Sequence, residues 1–305
     1  MPKTLKTCLW LIRITTLITL GIVFLKYFNI LPWFSQFISP VFNLLGLPGE
    51  AALAFVTGYF VNVYSAIAVM ATLDMNVRAI TILAVMVLCA HNMITETAVQ
   101  KKTGSSAVRI AIIRTFSAFA LGFILNKIMP GESNLVQTDA VVELQTLSAM
   151  LKDWFFTTLK LVALMSVLIF ALSILQRILA EYGVIRWLSK LLRPLMYFFG
   201  LPARTSFLWI IANTLGLAYG AAVMIDEAES GKIDKTDANL LNHHISISHS
   251  NLEDAFLLSS VGALFLWMLL SRWAFSFLLV WELRLEMAIK KRFSSSKTNC
   301  FTGRQ

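Results

Sequence analysis

Six long apolar stretches, 8–28, 50–71, 108–129, 154–179, 205–225 and 255–283, constrain this chain more than any other feature. Each is about as long as the roughly 20 residues that cross the hydrocarbon as a helix. A soluble core does not need six of them. The chain is 57% hydrophobic and 14% charged, with a mean hydropathy of +0.72, whereas soluble domains carry roughly 25% charged residues. The first stretch outruns the apolar part of a secretory signal, and no small-residue cleavage pattern precedes Lys26, so it reads as a retained helix.

The chain repeats itself. Laid on each other at a constant offset, 28–48 and 182–202 match Trp33 with Trp187, Ser35 with Ser189, Pro40 with Pro194, and Gly46-Leu47-Pro48 with Gly200-Leu201-Pro202. With one or two inserted residues the match continues through Tyr64 with Tyr219, His91 with His249, and Arg114 with Arg272. Two copies of one unit are therefore expected. Each reads as a spanning helix, an amphipathic segment ending in Gly-Leu-Pro, a second span, a shorter segment with the histidine, and a last span.

The short segments decide the relative orientation of the copies. The apolar run 80–90 and the segment 240–250 are too short to span alone and fit re-entrant or broken helices. Three crossings per copy then place the second copy upside down relative to the first. The positive-inside rule agrees. Lys3, Lys6, Lys101, Lys102, Arg109, the basic stretch 177–204 and the tail with Lys290, Lys291 and Arg292 fall on one side, expected to be cytoplasmic. Glu132, Asp139, Glu143 and Asp153, and the acidic run Asp226, Glu227, Glu229, Asp234 and Asp237, fall on the other.

These expectations give an all-α integral membrane fold of two inverted-topology repeats, each with about three spanning helices plus an amphipathic and a re-entrant segment. Residues 1–130 form the first membrane copy, 131–152 an acidic extracytoplasmic linker, 153–289 the second copy, and 290–305 a basic, disordered cytoplasmic tail. The location is the inner membrane, multi-pass, with both termini cytoplasmic. The net charge of +9 is explained by this topology rather than by nucleic acid, because the basic residues flank apolar spans.

All four histidines, His91, His243, His244 and His249, lie in the two short segments. Ionisable groups at membrane depth are costly and face a cavity, a partner or a substrate path. The candidate solute or ion contacts are His91, Asn92, Thr95, Glu96, Ser248, His249, Ser250, Asn251, Glu253 and Asp254, gathered at a midplane site between the two segments. His249 and Glu253 would share a helix face. The alternative is that the segments are solvated loops, with His243 and His244 facing water. Arg114 and Arg272 either pair with Glu96 and Glu253 or snorkel to a headgroup. Asn62 either bonds between helices or lines a cavity.

No Walker, GxGxxG, GxSxG or nucleophilic arrangement is present, so covalent catalysis and nucleotide hydrolysis are not indicated, and no cofactor is implied. Cys8, Cys89 and Cys300 lie far apart and form no ligand pair. A fixed metal lacks HExxH or Cys/His spacing. A metal-dependent intramembrane enzyme would need three or more of His91, His243, His244, His249, Glu96 and Glu253 to converge.

The runs 46–50 (Gly-Leu-Pro-Gly-Glu), 90–96 (Ala-His-Asn-Met-Ile-Thr-Glu), 200–202 (Gly-Leu-Pro) and 246–254 (Ser-Ile-Ser-His-Ser-Asn-Leu-Glu-Asp) resemble the Gate, or nucleoside-recognition, family of bacterial membrane proteins. That family is similar to the membrane regions of concentrative nucleoside transporters and of ferrous-iron transporter B, and it includes paired sporulation membrane proteins. The chain carries no GTPase domain of the iron-transporter kind, and no nucleoside-binding motif is matched residue by residue. The resemblance implies a secondary transporter of a small solute or ion and not an enzyme. A membrane scaffold or accessory subunit is the alternative. Expected partners are the lipid bilayer, an unknown small-molecule or ion substrate, and either a homo-oligomer or a paired membrane subunit.

Overall fold

The computed structural model of the protein describes residues 2–28, 30–131, 146–214 and 216–302. Among these residues every regular element is helical. In chain order they are α1 (Pro2–Tyr27), α2 (Ile30–Leu44), α3 (Ala51–Phe60), α4 (Val63–Met70), α5 (Val77–Ala90), α6 (Met93–Lys102), α7 (Ala107–Ile128) and α8 (Leu147–Glu181). Then follow α9 (Val184–Leu191), α10 (Arg193–Phe198), α11 (Ser206–Thr214), α12 (Gly216–Glu229), α13 (Lys235–Ser248), α14 (Asp254–Ser259) and α15 (Phe265–Thr302). Linker residues Glu132, Asp139 and Glu143 lie outside the described residues.

α7 and the part Phe265–Phe293 of α15 are long and apolar enough to cross a bilayer, and α5 with α6 qualifies as one pair bent by 41°. α7 extends about 33 Å over its 22 residues. This is an apolar, all-helical membrane protein.

α5 and α13 form the centre. α5 is buried on nearly every side, from Arg78 through Ala90, and α13 is buried from Leu240 through Ser248. A helix enclosed all round is a core helix even when polar residues interrupt it. α5 packs on α7 and α13 on α15, and the two pairs cross, with α5 against α13 and α15 and with α7 against α13. His243 and His244 are fully buried in this packing, which rules out the alternative in which they face water.

Two expected spans fold back on themselves. The stretch 50–71 breaks at Val61–Asn62 into α3 and α4, which pack against each other. Asn62 accepts a bond from Ser65 N at 2.8 Å and so caps α4. The stretch 205–225 breaks before Gly216, which has φ of 73°, and α11 packs against α12. The last span begins at Phe265 after a separate helix α14, and its helix continues to Thr302, where a disordered tail was expected.

Contacts between chain ends show where these pairs return. At one end Arg78, opening α5, donates to Asn126 Oδ1 at 2.8 Å and to Met129 O at 3.2 Å, at the close of α7. Gly46 abuts the same two side chains. At the other end Gly104 lies against Lys235, Ser105 Oγ donates to Asn239 Oδ1 at 2.7 Å, and Arg109 pairs with Glu286 at 2.6 Å. Arg204 bonds both Asp234 and Asp237 there, and Arg284 bonds Gly200 O.

The acidic run 226–237 therefore shares an end with Arg204 and the loop after α6, whereas sequence placed it on the opposite side. α3–α4 and α11–α12 each start and finish at one end. α5–α6 and α13–α14 instead run from end to end, because Leu264 N, just beyond α14, donates to Thr81 Oγ1 near the start of α5 at 3.0 Å.

Candidate functional site

Each copy makes the same break. α5 ends on His91 and α13 on His249, both with extended backbone angles. The residue after each histidine, Asn92 at φ 47° and Ser250 at φ 53°, is left-handed, and these are the only non-glycine residues with positive φ among the described residues. An L side chain there is strained, and such strain persists only where the surroundings over-determine it. The amides freed by the breaks are recaptured in parallel fashion. Asn92 N donates to Gly58 O and Ser250 N to Ala212 O, both at 3.0 Å.

Two buried arginines brace the breaks from behind. Arg114 donates from Nε to Cys89 O at 3.0 Å, and from Nη2 to His91 O at 2.6 Å and Glu96 Oε2 at 2.7 Å. Arg272 donates to Ile247 O at 3.3 Å and His249 O at 2.9 Å, and to Asn251 Oδ1. Both are fully buried, so neither snorkels. Arg114 meets Glu96, whereas Arg272 meets Asn251 in place of Glu253.

The breaks meet. The rings of His91 and His249 have centroids 5.0 Å apart. His91 Nε2 lies 3.2 Å from Glu96 Oε1 and 3.2 Å from Asp254 Oδ2, and His249 Nε2 lies 3.1 Å from Glu96 Oε2. His91, Glu96 and His249 each offer one ligand atom within 4.8 Å of the others, so three of the groups considered for metal ligation do converge.

The remaining candidates divide. Glu253 is half-buried and accepts from Tyr64 Oη at 2.7 Å. Asn251 is buried and donates to Ser248 O at 2.8 Å and Asn213 Oδ1 at 2.5 Å. Ser248 Oγ contacts His244 Nδ1 at 2.8 Å, where Trp209 Nε1 also donates at 3.1 Å. Thr95 is exposed and turned back to Asn92 O at 3.2 Å, away from the cluster. Asn92 makes no side-chain cap.

Tyr64 and Asn213 were missed by sequence reasoning. Tyr64 was visible as half of a repeated pair, and Asn213 as an amide inside an apolar stretch. An apolar groove of about 200 Å³ reaches Asn213 and Asn251 beside the second break, between Leu192, Trp209 and Trp273.

The described residues form an all-helical membrane bundle with two broken helices whose ends meet at buried ionisable groups. The comparisons give the family. A family model for nucleoside recognition, named Gate, matches residues 8–124. Over 253 residues the chain is 31% identical to the uncharacterized membrane protein YvoD of Bacillus subtilis (strain 168), covering 80% of each. The chain belongs to the Gate, or nucleoside-recognition, family. No solved structure matches it.

Proposed function

We propose that this protein is a secondary carrier of a small solute, either nucleoside-like or an ion, that passes the membrane between the two helix breaks. The two copies lie in the bilayer in opposite orientations. Each crosses three times, by α1, α5–α6 and α7 in the first copy and by α8, α13–α14 and α15 in the second. The hairpins α3–α4 and α11–α12 enter and leave by one side. Re-entrance thus belongs to the hairpins, and the histidine segments are broken full crossings. Basic residues, which set orientation far more than acids do, keep the end with Lys101, Lys102, Arg109 and Arg204 cytoplasmic, together with both termini.

The observation that carries this reading is a set of buried polar atoms without hydrogen-bond partners on α6, α7 and α13 and at the second break. They are both amide atoms of Gln100, Arg114 Nη1, Ser117 Oγ, Asn242 Oδ1, and Nε2 of His243, His244 and His249. Each such group carries a desolvation cost of roughly 1–3 kcal/mol that a purely structural core would avoid. A passing solute or water would satisfy them in turn.

One observation favours a second reading. His91, His249, Arg114 and Arg272 are closed off from solvent on all sides, and a scaffold would pack its polar segments in that way. Proteoliposomes separate the two. A carrier moves at least one of a panel of nucleosides, nucleobases, organic acids and cations under an imposed ion gradient. A folded, reconstituted protein that moves none is the scaffold.

A further inference from the structure

We infer that the cluster of His91, Glu96 and His249 is a binding site for a divalent transition-metal cation, with Asp254 as the next oxygen donor. The inference rests on the carrier reading for what the ion does there, which would make it a cargo or a coupling ion. It does not rest on that reading for the ion's binding.

The hydrogen bonds fix the imidazoles first. His249 Nδ1 lies 2.7 Å from Ile245 O, and His91 Nδ1 lies 3.2 Å from both Val87 O and Leu88 O. A carbonyl oxygen only accepts, so each Nδ1 carries a proton and each ring turns its Nε2 into the cluster, where it ligates once it carries no proton of its own. Metal-ligating histidines are held in just this way, by a hydrogen bond from the other ring nitrogen to a carbonyl or carboxylate.

What those Nε2 atoms face is carboxylate oxygen. His91 Nε2 looks at Glu96 Oε1 and Asp254 Oδ2, and His249 Nε2 at Glu96 Oε2. Buried carboxylates at 3.1–3.2 Å from the imidazoles need a positive charge beside them, which either a proton on an imidazole or a metal ion in its place supplies. Ligands at 2.0–2.1 Å from a tetrahedral ion lie roughly 3.3 Å from one another; each His–Glu96 pair has that spacing, and the three ligand atoms together lie within 4.8 Å.

The donor set narrows the ion. Two imidazoles and a carboxylate suit zinc, cobalt or manganese, and not calcium or magnesium, which take all-oxygen shells. Three protein ligands leave a coordination position open, as in sites whose occupant exchanges with water or substrate. Arg114 holds Glu96 Oε2, the oxygen that also faces His249, and leaves Oε1 towards His91 as the ligand atom.

The test uses the full chain in detergent, stripped with a chelator and then titrated with CoCl2 alone. The expected result is about one ion per chain with the visible bands of a four-coordinate Co2+ site, displaced by Zn2+. His249→Asn should weaken binding at least tenfold, and Asp234→Asn, which alters an exposed carboxylate at the far end of α13, should leave it unchanged. If His249→Asn fails to elute as a folded protein, X-ray absorption on the wild type decides, because two imidazoles must appear in the cobalt shell. Absence of binding, equal loss in both variants, or a shell without imidazole would overturn the site. Binding without flux in proteoliposomes would leave the site standing and sink only the carrier.

Discussion

His91 and His249 come from different copies of the repeat, yet their rings stand 5.0 Å apart, with the carboxylate of Glu96 within 3.2 Å of both. Each histidine closes a central helix, and each is followed by a strained left-handed residue. The two halves are thereby tied at one buried point, and the consequences of disturbing it differ sharply from residue to residue.

Glu96→Gln leaves the buried Arg114 charge without its carboxylate. Breaking one side of such a pair costs about 3–5 kcal/mol. Glu253→Gln removes charge from a half-buried carboxylate and weakens the hydrogen bond it accepts from Tyr64, a bond worth about 1 kcal/mol. Thermal melting in detergent should rank the first well below the second, and equal melting temperatures would contradict the assigned partners.

The Gly-Leu-Pro turns give a second ranking. Gly46, Gly200 and Gly183 all adopt positive φ, where alanine costs roughly 1–2 kcal/mol. A Cβ on Gly46 would also meet Asn126 Oδ1 at 2.2 Å, one on Gly200 would meet Arg284 Nε at 3.2 Å, and one on Gly183 would meet nothing within 4 Å. Alanine at 46, 200 and 183 should therefore lower the melting temperature in that order.

Much of this was legible in the sequence. The apolar lengths announced α1, α7 and α8, and the histidine match pointed to the paired helix breaks at His91 and His249. The hairpins were not legible, because a helix pair buried in protein has the same composition as a span of equal total length. Only Asn62 and Gly216 mark the folds, and a lone amide or glycine is common inside real spans. The acidic run 226–237 misled for a similar reason. Charge sign alone does not reveal that Asp234 and Asp237 meet Arg204. At the site, residue types pointed to the two short segments, but which carboxylate each arginine takes depends on packing that no spacing rule contains.

Topology is open to a direct check by single cysteines in a background with Cys8, Cys89 and Cys300 replaced. Residues 101, 204 and 234 should all react with an impermeant thiol reagent from the same face of the membrane. Labelling of 234 from the face opposite 204 would make 205–225 a full crossing and contradict the hairpin α11–α12.

The same contact carries a pH signature. The Asp237 backbone N–H, and after it the Arg204 guanidinium, hold the Asp234 carboxyl below its ordinary value against the opposing desolvation. A folded value below the unfolded one contributes stability above about pH 4, lost as pH falls through the folded value. Asp234→Asn should flatten the acid limb of the stability profile there and leave the slope between about pH 5 and 8 unchanged. An altered slope at neutral pH would contradict the exposed, ionised assignment.

The most direct measurement is flux through reconstituted vesicles, comparing the wild type with a Glu96→Gln/His249→Asn variant of matched incorporation, across nucleosides, organic acids and divalent cations under an imposed proton gradient. The account predicts gradient-driven uptake of one solute class by the wild type, falling to background in the variant. Uptake that survives in the variant, or none by a folded wild type, would contradict it.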